Sequence, residues 1–150
     1  MTKKIAKGRV LLTAALFCCL VLLVIPLVGC EASYSVSTAS LSEVTICTAV
    51  DEDARPLDST DVFSADTTEI FCSVKLSNAP SGTMVKAVWT YIEGELDVTD
   101  MVLGEYELEG DGTRYLQFSL FNESVWPTGT YQVDLYLDGE PEETVTFTVE

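Results

Sequence analysis

The sequence predicts an all-β, two-layer sandwich of seven strands behind an N-terminal apolar helix. Three observations predict it. Beyond residue 42 apolar and polar residues alternate in short runs, the period of a half-buried strand. Clusters of Gly, Pro, Asn and Asp separate those runs roughly every ten residues. No helical periodicity follows the apolar N-terminal segment.

That segment comes first. Lys3, Lys4, Lys7 and Arg9 make a basic start, and residues 10–28 carry no charge. A basic region, an apolar core and a small-residue site are the parts of a secretory signal. The apolar run also approaches the length that spans a bilayer. Two outcomes therefore stay open: a cleaved signal, or an uncut anchor with its basic end in the cytoplasm. Pro26 ends the helical pattern just before Leu27-Val28-Gly29-Cys30, leaving an extended stretch for a peptidase.

Leu27-Val28-Gly29-Cys30 resembles the lipobox of bacterial lipoproteins. The resemblance covers the first thirty residues. It implies a signal peptide at 1–29, cleavage before Cys30, and an acyl (palmitate-type) anchor on that thiol. Two or three chains, at about 0.8 kcal/mol per buried methylene, hold a protein to a membrane far better than one. On this expectation the protein sits on the extracytoplasmic face of a bacterial membrane, at the cell surface or in the periplasm. Residues 30–42, rich in Ser, read as a tether, and residues 43–150 as the folded domain. A flexible stretch of about eleven residues reaches on the order of 18 Å.

Charge narrows the class of partner. All 24 acidic residues but only four of the eight basic ones follow Gly29. Phosphate contacts need Lys and Arg, so nucleic acid is excluded as a partner. The acidic excess serves solubility first, and a cationic partner is the sharper alternative.

The strand runs follow in order. In 43–50, Val44, Ile46, Thr48 and Val50 alternate. Residues 51–66 read as an acidic loop holding Pro56 and Val62-Phe63. In 69–76, Ile70, Cys72, Val74 and Leu76 share a face. Asn78 to Gly82 reads as a turn, and 83–92 aligns Val85, Ala87, Trp89 and Tyr91. A weaker strand spans 101–108, with Glu105, Glu107 and Glu109 on its solvent side. Gly110-Asp111-Gly112 signals a hairpin, because these residues tolerate positive φ. Then 113–121 sends Leu116, Phe118 and Leu120 inward. Trp126-Pro127-Thr128-Gly129 makes a corner. Residues 130–137 alternate Tyr131, Val133, Leu135 and Leu137, Asp138-Gly139 turns the chain, and 144–149 returns.

Trp89 on the third run and Tyr131 opening the sixth resemble an immunoglobulin-like sandwich. In that fold a Trp on strand C fills the core and a Tyr near the start of strand F pins a corner. The resemblance spans residues 43–150. The fold's usual disulfide joins strands B and F, yet no Cys lies on the sixth run, which sets this chain apart from antibody domains.

With Cys30 acylated, Cys47 and Cys72 remain, and in an exported protein an even pair points to a disulfide. Closing residues 48–71 would restrict the unfolded chain by roughly 3 kcal/mol. The alternative is two buried thiols. Parity speaks against the bridge, since Cys47 is out of phase with Ile46 while Cys72 shares its strand's core face. A bulge must intervene if the bridge forms.

Chemistry finds little purchase. The chain has no His, which removes His-based nucleophile pairs and His metal sites. No phosphate-cradling glycine loop is present, and we expect a non-enzyme. Asp51, Asp53, Asp58 and Asp61 are the candidate ligands for Ca²⁺, the one cofactor considered, because hard oxygen donors in a loop suit that ion. The plainer reading, which we favour, is a solvated acidic loop with Asx-turns. Trp126 and Tyr136 are candidates for gripping a glycan or a peptide; the alternative, which a large apolar ring favours, is that Trp126 folds back under the corner as core. The expected role is a non-catalytic binding or assembly module, held to the membrane through Cys30, for a protein or glycan partner. The alternatives are an extracellular protease inhibitor, wedging with tips near Gly110 and Gly139, and a calcium-dependent adhesion module.

Overall fold

A computed structural model describes residues 38–150. The apolar N-terminal segment, Cys30 and residues 31–37 lie outside the described residues. The described part is all-β, with seven strands and no helix. The strands are β1 (Ser40–Val50), β2 (Pro56–Ser59), β3 (Val62–Phe63), β4 (Glu69–Gly94), β5 (Met101–Phe121), β6 (Gly129–Leu137) and β7 (Glu140–Val149). They form a curled sheet in the order β2-β1-β4-β6-β7-β3, with β5 alongside β4. β1 begins inside the stretch expected to be tether.

The count of seven matches the expectation, but the members differ. The runs at 69–76 and 83–92 are one strand, β4, and those at 101–108 and 113–121 are one strand, β5. β4 and β5 pair antiparallel from Glu69 opposite Phe121 to Tyr91 opposite Met101. The turn residues between the runs produce bends rather than reversals. The register slips around Ala79, near Asn78 (φ 52°), Gly82 (φ 87°) and Gly112 (φ 66°). A turn reverses the chain when its two flanks pair with each other. Here both flanks pair with the same neighbouring strand, so the bend is shared by two strands. Gly110 is accordingly no hairpin tip. It is buried in the bend, where a Cβ would meet Leu76 Cδ2 at 2.6 Å.

The bend lets β4 serve two neighbourhoods. Its first half pairs with β1, placing Ile46 opposite Cys72. Its second half pairs with β6, placing Trp89 opposite Val133 and Ala87 opposite Leu135. One apolar core fills the curl, with Ile70, Val74, Leu76, Val85, Trp89 and Leu135 almost wholly buried. Aromatic rings knit it together. Phe147 stacks on Tyr131 at 5.2 Å and meets Trp89 edge-on at 6.1 Å. Among the described residues the indole N–H of Trp89 finds no acceptor.

The acidic stretch 51–66 is a strap rather than an open loop. β2 pairs with β1, and β3 runs parallel to β7. Phe63 is buried in the core. Thr148 N donates to Asp61 O at 2.8 Å, and Glu150 N donates to Phe63 O at 3.0 Å. The strap thus closes the side of the curl between β1 and β7.

The expected disulfide is absent: Cys47 and Cys72 are free, buried thiols. Cys72 lies opposite Ile46, whereas Cys47 lies opposite Phe71. Adjacent residues of a strand point to opposite faces, so the two thiols are on different sides of the sheet. A bulge does occur, between Ser42 and Thr45. It precedes Ile46 and leaves the parity of Ile46 and Cys47 intact.

Candidate functional site

Among the described residues β5 has β4 on one side and no strand on the other. Its first half carries the core-facing side of the sheet outward. Met101 lies opposite Tyr91, Gly104 opposite Trp89, Tyr106 opposite Ala87 and Leu108 opposite Val85, and all four β4 partners are buried. Cross-strand partners share a face, so these β5 residues look the same way as the core. Yet Met101, Tyr106 and Leu108 are 38%, 45% and 38% exposed. A register shift between Trp89 and Thr90 lets Leu103 also pack against the core.

The second half of β5 faces the first across the open side of the curl. Between the halves lies a cleft of about 370 Å³ lined by residues 105–108 and 117–119 of β5, with Tyr106, Leu108 and Phe118 its apolar part. Where the two ends of β5 approach each other lies an apolar cavity of about 250 Å³. Leu96, Met101, Leu103, Phe121 and Trp126 line it. Phe121, part of that lining, stands exposed. The cleft beside Tyr106 and Leu108 is the β5 groove; the cavity shares no lining residue with it. A wider depression of about 630 Å³ lies over residues 93–99 and 129–130, but its lining is mostly polar. Apolar pockets with a few polar groups are the usual place for a ligand, and the β5 groove fits that description better.

The corner that walls the cavity is held by hydrogen bonds and close backbone contact. Tyr131 Oη donates to Pro127 O at 2.6 Å. Burial, then the neighbouring Tyr91 and the charge of Glu95, push the Tyr131 hydroxyl up to about 12. Gly94 and Gly129 pair at closest approach, with φ of 154° and 152°. A Cβ on Gly129 would meet Glu93 O at 2.3 Å.

The residues singled out from sequence fall elsewhere. Trp126 is 5% exposed; its backbone N–H donates to Ala65 O at 2.8 Å and its indole N–H to Thr67 O. Its ring packs edge-on against Tyr131, so it is a wall of the cavity and not a free platform. Tyr136 sits on the outer face of β6 beneath Lys86, whose Nζ is 4.6 Å from the ring centre. The structure does not bring Trp126 and Tyr136 together as one grip.

Nor do Asp51, Asp53, Asp58 and Asp61 converge. Among the described residues no three Asp, Glu or Cys side chains group as cation donors. Asp51 Oδ1 instead accepts from Asp53 N at 2.9 Å and Arg55 N at 2.8 Å, closing the β1–β2 turn as an Asx-turn. Asp61 contributes its backbone carbonyl to β7.

A polar cluster covers the outer face of β1, β4 and the second half of β5. Glu43 Oε1 accepts from Lys75 Nζ at 2.6 Å, and Glu43 Oε2 accepts from Tyr115 Oη. Arg55 lies over the Tyr115 ring at 5.7 Å. The hydrogen bond from Lys75, then that from Tyr115, hold the Glu43 carboxyl below its ordinary value. Ser73 Oγ donates to Ala54 O at 2.6 Å, fixing the turn over the sheet. Burial raises both cysteine thiols, Cys72 to about 12. A nucleophile needs the opposite shift.

No protein-family model matches the chain, and no curated protein does. Solved structures resemble parts of it. An alkylpurine DNA glycosylase from Pseudomonas fluorescens, bound to DNA with an abasic site analog, is 14% identical, with a TM-score of 0.47. The match covers 76% of this chain and 31% of that one. A β-glucosidase from Listeria innocua, in complex with gluconolactone, is 10% identical with a TM-score of 0.47, over 76% of this chain and 16% of that one. A β-D-glucoside glucohydrolase from Trichoderma reesei is 14% identical with a TM-score of 0.43, over 77% and 19%. The chain thus spans less than a third of the length of each of these structures.

The groove residues escape sequence reasoning. Tyr106 and Leu108 alternate with Glu105, Glu107 and Glu109, which marks an amphipathic strand. The pattern says which side is apolar, and nothing in it says whether that side is covered.

Proposed function

We propose that the chain is a non-catalytic binding or assembly module, held outside a bacterial membrane by lipid on Cys30, with the β5 groove as its binding surface. The observation that carries the reading is the uncovered, core-facing side of β5 at Met101, Tyr106 and Leu108. Large apolar side chains left exposed side by side mark an interaction surface. The domain behind the groove is an immunoglobulin-like sandwich. Supporting that are the buried Trp89, the Tyr131 hydroxyl bonded to Pro127 O four residues upstream, and a β4 whose halves pair with different strands. The Leu27-Val28-Gly29-Cys30 box supports the anchor.

The test uses the full chain in a bacterial host. Fed an alkyne palmitate, the cells label the protein, and Cys30→Ser abolishes the label. An unlabelled protein that retains Met1 overturns the anchor. A photo-crosslinking residue is then placed at Tyr106 or, as a control, at exposed Glu142 on β7. A discrete adduct from position 106 and none from 142 supports the groove. Equal behaviour at the two positions removes it.

A further inference from the structure

The binding surface has a chemistry that specifies its partner. We propose that the groove receives an extended protein segment in which apolar residues alternate with Lys or Arg, adding as a strand to the free edge of β5. This rests on the groove being the binding surface and names what enters it.

Three observations converge. First, β5 offers the long open edge. Among the described residues β5 is the longest strand open along its whole outer edge; β2 and β3 are four and two residues, and the outer edges of β1 and β7 are paired only at 47–50 and 148–149. The first half of β5 runs from Met101 to the bend at Gly110, and a strand partnered on one side leaves every second backbone N–H and C=O free. Second, Tyr106 and Leu108 sit exposed beside the 370 Å³ cleft, so alternate side chains of an added strand would enter it. This is the geometry of strand addition, in which backbone bonds supply affinity and pockets for every second side chain supply selectivity.

Third, charge decides the occupant. Glu105, Glu107 and Glu109 stand exposed on the opposite side of the same half-strand. One lysine serves the row: Lys86 lies opposite Glu107 and its Nζ is 4.0 Å from Glu105, and among the described residues Glu109 has no ion pair. A second copy of this chain laid along the edge would set one glutamate row beside another, and like charges directly opposite destabilise a strand pair. Lys or Arg at those positions would meet the glutamates instead. The acidic row thus blocks self-association and selects a cationic strand from the same face.

The experiment titrates the full chain in detergent micelles with fluorescent ten-residue peptides, read by anisotropy. One alternates apolar residues with Lys. The others are the same peptide with Glu for Lys, the same composition scrambled, and the alternating Lys peptide N-methylated on one edge or on the other. The alternating Lys peptide is expected to bind at least about tenfold more tightly than its Glu and scrambled counterparts, as several exposed charge pairs together would produce. Methylation of the edge that faces β5 should abolish binding, while methylation of the other edge should spare it. The double variant Glu107→Lys/Glu109→Lys, altered only at exposed positions, should reverse the preference toward the Glu peptide.

Equal binding of the scrambled peptide, or indifference to both methylations, overturns strand addition. Absence of binding by every peptide overturns the inference as well. If the Tyr106 position still crosslinks in cells while no peptide binds, the groove remains a binding surface for something other than a basic strand. If neither occurs, both readings fall together.

Discussion

The second half of β4 has two flanking strands, and they differ sharply. Val85, Ala87 and Trp89 pair on one side with Leu137, Leu135 and Val133 of β6, which are 6%, 1% and 0% exposed. On the other side the same residues pair with Leu108, Tyr106 and Gly104 of β5, where Leu108 and Tyr106 stand in solvent. Both flanks alternate and both turn their apolar side the same way. The difference lies in what crosses over them. The strap with β2 and β3 ties β1 to β7 and shuts the curl on the β6–β7 side. No segment among the described residues does so along β5. Charge also differs between the two halves of β5. Glu43, on the outer face, has Lys75 and Tyr115 as hydrogen-bond partners, whereas among the described residues the row Glu105, Glu107 and Glu109 shares the single Lys86.

Matched truncations would break this comparison most directly. Leu135→Ala removes a fully buried side chain and should cost about 2–5 kcal/mol. Tyr106→Ala deletes a larger side chain from the open flank and should change stability by less than about 0.5 kcal/mol. Urea unfolding of the two variants measures the gap; similar losses would mean that β5 is covered after all.

A smaller effect is expected at the corner. Gly129→Ala forces a Cβ against Glu93 O at 2.3 Å and Gly94 Cα at 3.0 Å, with φ at 152°. A few kcal/mol, about 2 or more, should be lost, read as a lower thermal midpoint. Ala at Gly112, on the bend of β5, meets nothing within 4 Å. Only its positive φ of 66° opposes the change, so the loss there should be about 1 kcal/mol.

The smallest effect concerns pH. Glu43 is held below its ordinary value of 4.5 by Lys75 and then Tyr115. A carboxyl lowered in the folded state stabilises above its unfolded value, and that contribution disappears as pH falls through the folded one. The midpoint difference between the wild type and Glu43→Gln should therefore be present at neutral pH and shrink below about pH 4.5. A difference that stays constant to acid would mean that the contact contributes nothing.

Several features were legible in the chain. The period-2 runs marked all the long strands, and Ile70, Val74, Val85, Trp89 and Leu135 fell in the core where alternation put them. The parity of Cys47 against Ile46 already opposed the bridge that its compartment favoured, and parity prevailed because nothing shifted register between them. Other features were not legible. Asn78 to Gly82 and Gly110 to Gly112 have turn chemistry, but a turn sequence specifies a local φ and leaves open which strands its flanks will meet. Asp51, Asp53, Asp58 and Asp61 looked like an ion's ligands by composition. Their places were taken by an Asx-turn and by backbone pairing, which need the same residue types.

The chain alone determined its β character, the inward face of each run and the acidic balance of the domain, because these follow from side-chain period and charge. Tertiary structure decided that two pairs of runs are single bent strands, that the acidic stretch is a strap, and that Tyr106 and Leu108 lie uncovered. Those outcomes depend on which segment reaches which edge. That is a property of distant pairings, and no local pattern encodes it.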